Sequence, residues 1–294
     1  MTVTAAQVKE LRERTGAGMM ECKKALEASK GDMQHAIEEL RKSGRAKADK
    51  KASRIAAEGV VMLRTTNDGK YAVMVEINSE TDFVARDENF LAFAEAVVNT
   101  ALATKTHDVQ ALIKLPLAGV HTTIEEARQA LIAKVGENIN IRRIASTHLN
   151  ADAIGTYLHG GRIGVIVELE GDNQELAKDI AMHIAASKPL VVSPEDVPSD
   201  VIAKEKEIYM AQAAGSGKPQ DIIEKMVNGK LKKFLDEMSL LGQPFIKDPE
   251  VLVANLLNKQ RVKVIGFTRF EVGEGIEKEA EDFVHAVMAQ VHGS

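Results

Sequence analysis

Apolar residues along this chain recur at two spacings, and the changes from one to the other mark its elements. Up to about Ser43 the spacing is helical: Val8 and Leu11, then Ala25 and Leu26, then Ala36, Ile37 and Leu40. Thr15-Gly16-Ala17-Gly18 and Gly31 interrupt the pattern and Asp32 is placed to cap a third helix, so three short helices are predicted. From Gly59 the pattern is strand-like. Gly59-Val60-Val61-Met62-Leu63 leads through the turn Asn67-Asp68-Gly69-Lys70 to Tyr71-Ala72-Val73-Met74-Val75-Glu76-Ile77. An Asn-Asp-Gly turn favours the positive φ angles of a tight hairpin. Past the corner Asn78-Ser79-Glu80-Thr81-Asp82-Phe83-Val84, helical spacing returns from near Asp87, with Phe90, Phe93, Ala94, Val97, Val98 and Ala101 on one face.

The same order, hairpin then helix, recurs in diverged form. Ile154-Gly155-Thr156-Tyr157-Leu158, the turn His159-Gly160-Gly161-Arg162 and Ile163-Gly164-Val165-Ile166-Val167-Glu168-Leu169 precede a helix bearing Leu176, Ile180, His183 and Ile184. Residues 139–144 and 262–270 supply two further strands. Pro189, Pro194 and Pro198 then break the chain. Ser199 is expected to cap a helix to about Ala214, and Pro219 to open a second carrying Ile223, Met226, Val227, Leu231, Phe234 and Leu235. Ala280, Phe283, Val284, Val287 and Val291 predict a last amphipathic helix. The expected fold is α+β: two small antiparallel sheets packed on helices in two related halves. The expected division is a three-helix module with a basic linker over 1–54, core halves over 55–148 and over 149–190 with 241–275, a projecting helical hairpin over 191–240, and a helical C-terminus over 276–294.

Composition narrows the function classes. The 294 residues (31.9 kDa) include 45% hydrophobic side chains, enough for real cores in roughly two domains. Aromatics are only 4%, with no Trp, so platforms for stacking bases are sparse. A net charge of −5 argues against a general polyanion binder. The basic run from Arg41 to Arg54 reads as a solvated linker or frayed helix, with an RNA contact as its alternative. A single cysteine, Cys22, excludes an internal disulfide and a multi-cysteine zinc site. Neither a signal peptide nor a membrane-length apolar run is present, so a soluble, cytoplasmic protein is expected.

Catalytic motifs are weak. Gly215-Ser216-Gly217-Lys218 imitates the end of a phosphate-binding loop, but Gln212 stands where that loop needs Gly and Pro219 where it needs a hydroxyl. Gly16-Ala17-Gly18 lacks a third glycine and a preceding strand. No metalloprotease histidine pair or nucleophile elbow occurs, so no catalytic residue, metal or cofactor is expected. What remains are contact candidates. Met19 and Met20 are neighbours on a helix, so at least one should be exposed. His159 lies in a hairpin turn beside glycines, whereas His183 shares a helix face with Ile180 and Ile184 and reads as a core histidine. At the corner, Thr81 or Asp82 can cap a turn with Phe83 pointing inward, which spacing alone favours. Otherwise acid and ring stand at the surface as a wedge for a partner.

Several runs resemble signatures of the translation elongation factor Ts family. These are Leu11-Arg12-Glu13-Arg14-Thr15-Gly16-Ala17-Gly18-Met19-Met20-Glu21-Cys22-Lys23-Lys24-Ala25-Leu26 and Glu80-Thr81-Asp82-Phe83-Val84-Ala85. Gly136-Glu137-Asn138-Ile139-Asn140-Ile141-Arg142-Arg143, Tyr157-Leu158-His159-Gly160-Gly161-Arg162-Ile163-Gly164, Gly242-Gln243-Pro244-Phe245 and Arg269-Phe270-Glu271-Val272-Gly273-Glu274-Gly275-Ile276-Glu277 complete the series in order. Ser79 departs from the Cys that members often carry, and residues 104–123 look longer than in compact members. The resemblance implies a UBA-like N-terminal module and a guanine-nucleotide exchange factor for the GTPase elongation factor Tu, acting without covalent chemistry. It implies that Thr81, Asp82, Phe83 and Val84 enter near the partner's magnesium, Asp82 and Phe83 intruding. Arg12, Met19 and Met20 become docking candidates, and His159 a contact to another domain of the partner. In some members the helical hairpin serves dimerisation, which would give a homodimer or a 2:2 complex. Direct nucleic-acid and membrane partners are not expected.

Overall fold

Cap chemistry sets the boundaries of the N-terminal helices. In the computed structural model, which describes residues 3–120, 122–147, 151–215 and 219–277, α1 (Ala5–Thr15) opens on a capping box between Thr4 and Gln7. It closes at Gly16, whose φ of 68° is left-handed. Next come α2 (Met19–Ala28) and α3 (Met33–Lys51), the latter capped by Asp32, which accepts the His35 amide. Val8, Leu11, Cys22, Ala25, Leu26 and Ala36 form the small core they share. The basic run is not the expected linker or frayed end, because α3, 19 residues long, continues through it as far as Lys51. Gly44 and Ala48 are buried within it, and a Cβ on Gly44 would lie 3.8 Å from the Gln129 carbonyl of a later helix. Its cations mostly have acceptors inside the protein: Lys47 with Glu21, Lys51 with the Gly136 carbonyl, Arg41 with Glu126 at 4.0 Å and Arg54 with Glu80 at 3.5 Å.

The chain then forms β1 (Glu58–Thr65), β2 (Ala72–Ser79), α4 (Asp82–Ala85), α5 (Glu88–Thr104), α6 (Val109–Leu112), α7 (Ile124–Val135) and β3 (Ile139–Ser146). The sheet order is β1-β2-β3, and every residue of the central strand β2 is buried. That includes Glu76, an acid inside an apolar run. Its carboxylate meets Arg142 at 3.1 Å and Arg143 from β3, the Asn78 amide at 3.0 Å and the Gly273 backbone N–H at 2.9 Å. Arg143 also lies 4.1 Å from the Phe270 ring centroid and donates to the Glu271 carbonyl. Here the late Phe270-Glu271-Val272-Gly273 segment finds its structural reason: it returns to the first sheet and is pinned there.

Contacts divide the described residues into two units, one of 3–64, 73–145 and 270–277, the other of 65–72 and the described part of 146–269. The second unit holds β4 (Ala153–His159), β5 (Ile163–Glu170), α8 (Gln174–Ser187), α9 (Ser199–Ala214), α10 (Gln220–Met238), β6 (Pro244–Phe245), β7 (Asp248–Leu252), α11 (Val253–Gln260) and, up to Arg269, β8 (Lys263–Glu271). β4 and β5 pair antiparallel with Tyr157 opposite Val165 and His159 opposite Ile163, and β8 completes the sheet beside β5. Val165, Val167, Leu169, Ile180, Ile184 and Leu257 share the core with α8. A side chain at Gly155 would place its Cβ 2.0 Å from the Ala177 carbonyl, so only glycine lets this strand lie against that helix. The α+β architecture and the hairpin-then-helix order of both halves match the sequence expectation, with the short α4 inserted in the first.

Two boundaries shift by a residue. Pro198 and Pro219 occupy the cap positions, so Ser199 is the first residue of α9 and Gln220 of α10. Between these two helices only Ala213, Ile223 and Val227 are fully buried, with Tyr209 and Met210 beside them. The turn residues 216–218 and the predicted helix with Ala280, Phe283, Val284, Val287 and Val291 lie outside the described residues.

His183 is a core histidine, as its helix face predicted. Its Nδ1 accepts the Ile246 amide at 3.2 Å, which leaves Nε2–H to donate to Gln243 Oε1 at 3.0 Å. Burial pushes the imidazole pKa below its ordinary value, and the Gln243 hydrogen bond opposes this only partly. The folded state therefore binds fewer protons than the unfolded chain near pH 6. Stability is expected to be full above the unfolded pKa of about 6.5 and to fall as pH drops through the lower folded value. Urea midpoints at pH 7.5 and 5.5 check this: His183→Gln should flatten the difference, and an equal slope in both chains would contradict it.

Candidate functional site

The site is a corner at the end of β2. Asn78 and Ser79 are buried, and Ser79 Oγ donates to the Thr81 carbonyl at 2.9 Å, which turns the chain out of the sheet. Thr81 then caps α4, its Oγ1 accepting the Val84 amide at 3.4 Å. A helix of four residues cannot hold itself, and Ala85 is its only buried side chain. Asp87, which accepts the Asn89 and Phe90 amides at 2.8 and 3.2 Å, caps α5 immediately afterwards.

Phe83 does not enter the core as spacing alone favoured. It is 82% exposed, more than any other large apolar side chain among the described residues. The reason is local: in a single turn between two caps, Ala85 takes the inward position and Phe83 falls on the opposite side. Val84 is half-buried. Asp82 pairs with Arg86 at 2.9 Å across one helical turn, where Arg86 is largely exposed and Asp82 half-buried. Such a surface pair is worth about 0–1 kcal/mol, so Asp82 can exchange Arg86 for another cation or donor at little cost.

The end of α7 connects this corner with the N-terminal helices. Lys134, in its last turn, donates to Asn89 Oδ1 at 2.5 Å and also lines a cleft with Lys9, Arg12, Gly16 and Glu21. Gly136, the left-handed cap of α7, offers its carbonyl to Lys51. Glu137 then takes both the Thr81 amide at 3.0 Å and the Thr81 hydroxyl at 2.7 Å. In the reverse direction, Glu80 accepts the Asn138 amide at 2.6 Å, and the Asn138 side chain donates to the Arg54 carbonyl at 2.8 Å. Sequence reading assigned no role to Glu137, Glu80 or Asn138. They stood only as members of two signature runs, with no contact assigned to any of them.

The other candidates lie on the surface. Arg12 is exposed at the end of α1, and Met19 and Met20 are 59% and 63% exposed, so both face outward where at least one was expected to. Two adjacent thioethers are thus left in water on a small helical module, a setting in which methionine is a tolerant contact residue. In the second unit, His159 is exposed at the end of β4, its Nδ1 3.2 Å from the Tyr157 hydroxyl. Among the described residues no helix is long and apolar enough to cross a membrane.

Comparison with known proteins gives the family. The family model described as Elongation factor TS matches residues 80–274, which begin at the corner itself. A curated Elongation factor Ts from Legionella pneumophila (strain Paris) is 57% identical over 290 residues, 99% of each chain. One from Thioalkalivibrio sulfidiphilus is 57% identical over 295 residues and the full length of both, and one from Francisella tularensis subsp. novicida is 55% identical over 291 residues, 99% of each chain. A surface-displayed ring at a braced corner, exposed methionines on a helical module and this likeness along the whole sequence lead to one assignment: the chain belongs to the elongation factor Ts family of translation elongation factors.

Proposed function

We propose that the chain is a guanine-nucleotide exchange factor that binds GDP-loaded elongation factor Tu and promotes GDP release, so that GTP can rebind. The observation that carries this reading is the exposure of Phe83 on a short, capped and braced turn. An apolar side chain held out in water on such a base is suited to enter a partner. Nucleotide affinity in a GTPase of this kind rests on backbone amides, a lysine and Mg²⁺ around the phosphates. A ring wedged among the elements that support the magnesium ligands, with Asp82 competing for nearby donors, is incompatible with that arrangement. No bond is made or broken by the factor itself, and the work is done in the cytoplasm, where translation runs.

Linkage sets the energetic requirement. If the factor weakens nucleotide binding by some free energy, nucleotide weakens the factor's binding by the same amount. Each tenfold effect needs about 1.4 kcal/mol of interface present only in the nucleotide-free state. Arg12, Met19 and Met20 would anchor the N-terminal module, and His159 would touch a second domain of the partner. Ile208 and Ile222, exposed on the helical hairpin, are where a second copy would dock in a homodimer or 2:2 complex. Mixing the chain with elongation factor Tu carrying a fluorescent GDP tests the reading: release should accelerate steeply with factor concentration, and an unaltered rate ends it.

The methionines make a separable prediction. Met19→Ala combined with Met20→Ala should weaken docking by about 1–3 kcal/mol, from the apolar area lost, while changing the release rate at saturation little. Titration calorimetry with nucleotide-free partner measures the first quantity. Unaltered affinity would return both side chains to a passive role.

A further inference from the structure

The exchange reading places Phe83 at the partner but leaves open what aims it. Nothing within α4 does so. The helix is four residues long, Ala85 is its only buried side chain, and Phe83 itself makes no core contact. Its direction must come from its ends. At the C-terminal end the chain passes at once into Asp87, fixed by its own capping bonds. At the N-terminal end the fixed point is Thr81: Ser79 holds its carbonyl, and a second side chain holds both its amide and its hydroxyl. Glu137 accepts the Thr81 amide with Oε2 and the Thr81 hydroxyl with Oε1. Since that hydroxyl proton points at Glu137, its lone pairs are left to face the Val84 amide, which is the bond that caps α4. Glu137 thus determines both where α4 starts and which way its cap points.

Resting on the exchange reading, we infer that Glu137 is a positioning residue for exchange: its carboxylate, braced on the end of α7, orients α4 and so sets where Phe83 stands. Glu137 is half-buried and follows Gly136, whose carbonyl is tied to Lys51 at the end of α3. The same turn therefore fixes the corner relative to the helices that carry Arg12 and the exposed methionines. A role of this kind differs from plain structural support. Loss of Glu137 should leave the factor able to dock and unable to present its ring.

The test uses the full chain and a GDP-loaded partner. Release is timed over a range of factor concentrations for wild type, Glu137→Gln, Glu137→Ala, Phe83→Ala and the Glu137→Ala/Phe83→Ala double variant. Glu137→Ala should lower the plateau rate about tenfold, with the half-saturating concentration changed less than about twofold. Glu137→Gln keeps one acceptor oxygen and should fall between. With Phe83 already removed, Glu137→Ala should add less than about twofold, since it acts through that ring. Hydrogen exchange of residues 81–86 in the free chain should quicken about tenfold in Glu137→Ala, read by mass spectrometry without any partner. A wild-type plateau, an effect confined to half-saturation, or unaltered hydrogen exchange in Glu137→Ala would each overturn the role. Those outcomes come with an active wild type and are distinct from an inert one, which would bring down the exchange reading itself.

Discussion

Replacing Phe83 with alanine is expected to leave the fold untouched and to slow stimulated GDP release by roughly 30- to 150-fold. The first half follows from exposure: a side chain 82% in water contributes almost nothing to the core, so urea midpoints should coincide with wild type. The second half follows from what the ring gains at a partner, where full burial of a phenyl group is worth about 2–3 kcal/mol. If that burial occurs only when the nucleotide site is disrupted, the loss falls on the release step and not on first contact. Stopped-flow release of a fluorescent GDP and equilibrium binding to nucleotide-free partner separate the two. An unchanged release rate would remove Phe83 from the mechanism, and a matching loss in both would make it an ordinary anchor.

The largest effect on stability is expected from Glu76→Ala. The wild-type carboxylate has no exposure and is satisfied by Arg142, Arg143, Asn78 and the Gly273 amide. Removing it strands two half-buried guanidinium groups and a backbone N–H, a loss of about 3–5 kcal/mol for a broken buried pair. Burial alone pushes the Glu76 carboxyl pKa up, but the Gly273 amide, Asn78 and Arg143 outweigh it and leave the pKa below the ordinary carboxylate range. A depressed folded pKa means that the stabilisation is complete above the unfolded value of about 4.3 and disappears as pH falls through the folded one. The gap in urea midpoint between wild type and Glu76→Ala should therefore be wide at pH 7 and close on strong acidification. Equal midpoints at pH 7 would show that the arginines find other partners.

Periodicity made the two hairpins, the helix opening at Asp87 and the burial of His183 legible, because each depends on neighbours in sequence. Three features were not. The basic run from Arg41 looks too polar to pack, yet Gly44 and Ala48 give α3 a narrow face that a distant helix can approach. Glu76 reads as part of an apolar strand, and its partners arrive from about 66 and 197 residues later. The habits of phenylalanine place Phe83 inward, but the caps at Thr81 and Asp87 leave α4 one turn with one inward position. For the first two the deciding contact is remote in sequence, and for the third it is the pair of caps that confines the turn. The resemblance to a family marked Thr81–Val84 as important without saying what braces it, and Glu137 supplies that.

The glycine at position 155 has a mechanical consequence. Without a Cβ there, the Ala177 carbonyl of α8 comes into direct contact with the β4 backbone. A strand and a helix pressed together with no side chain between them have no compliant layer in which to slip. The hairpin that ends at His159 is therefore seated on α8 backbone against backbone, with no adjustable contact at that point.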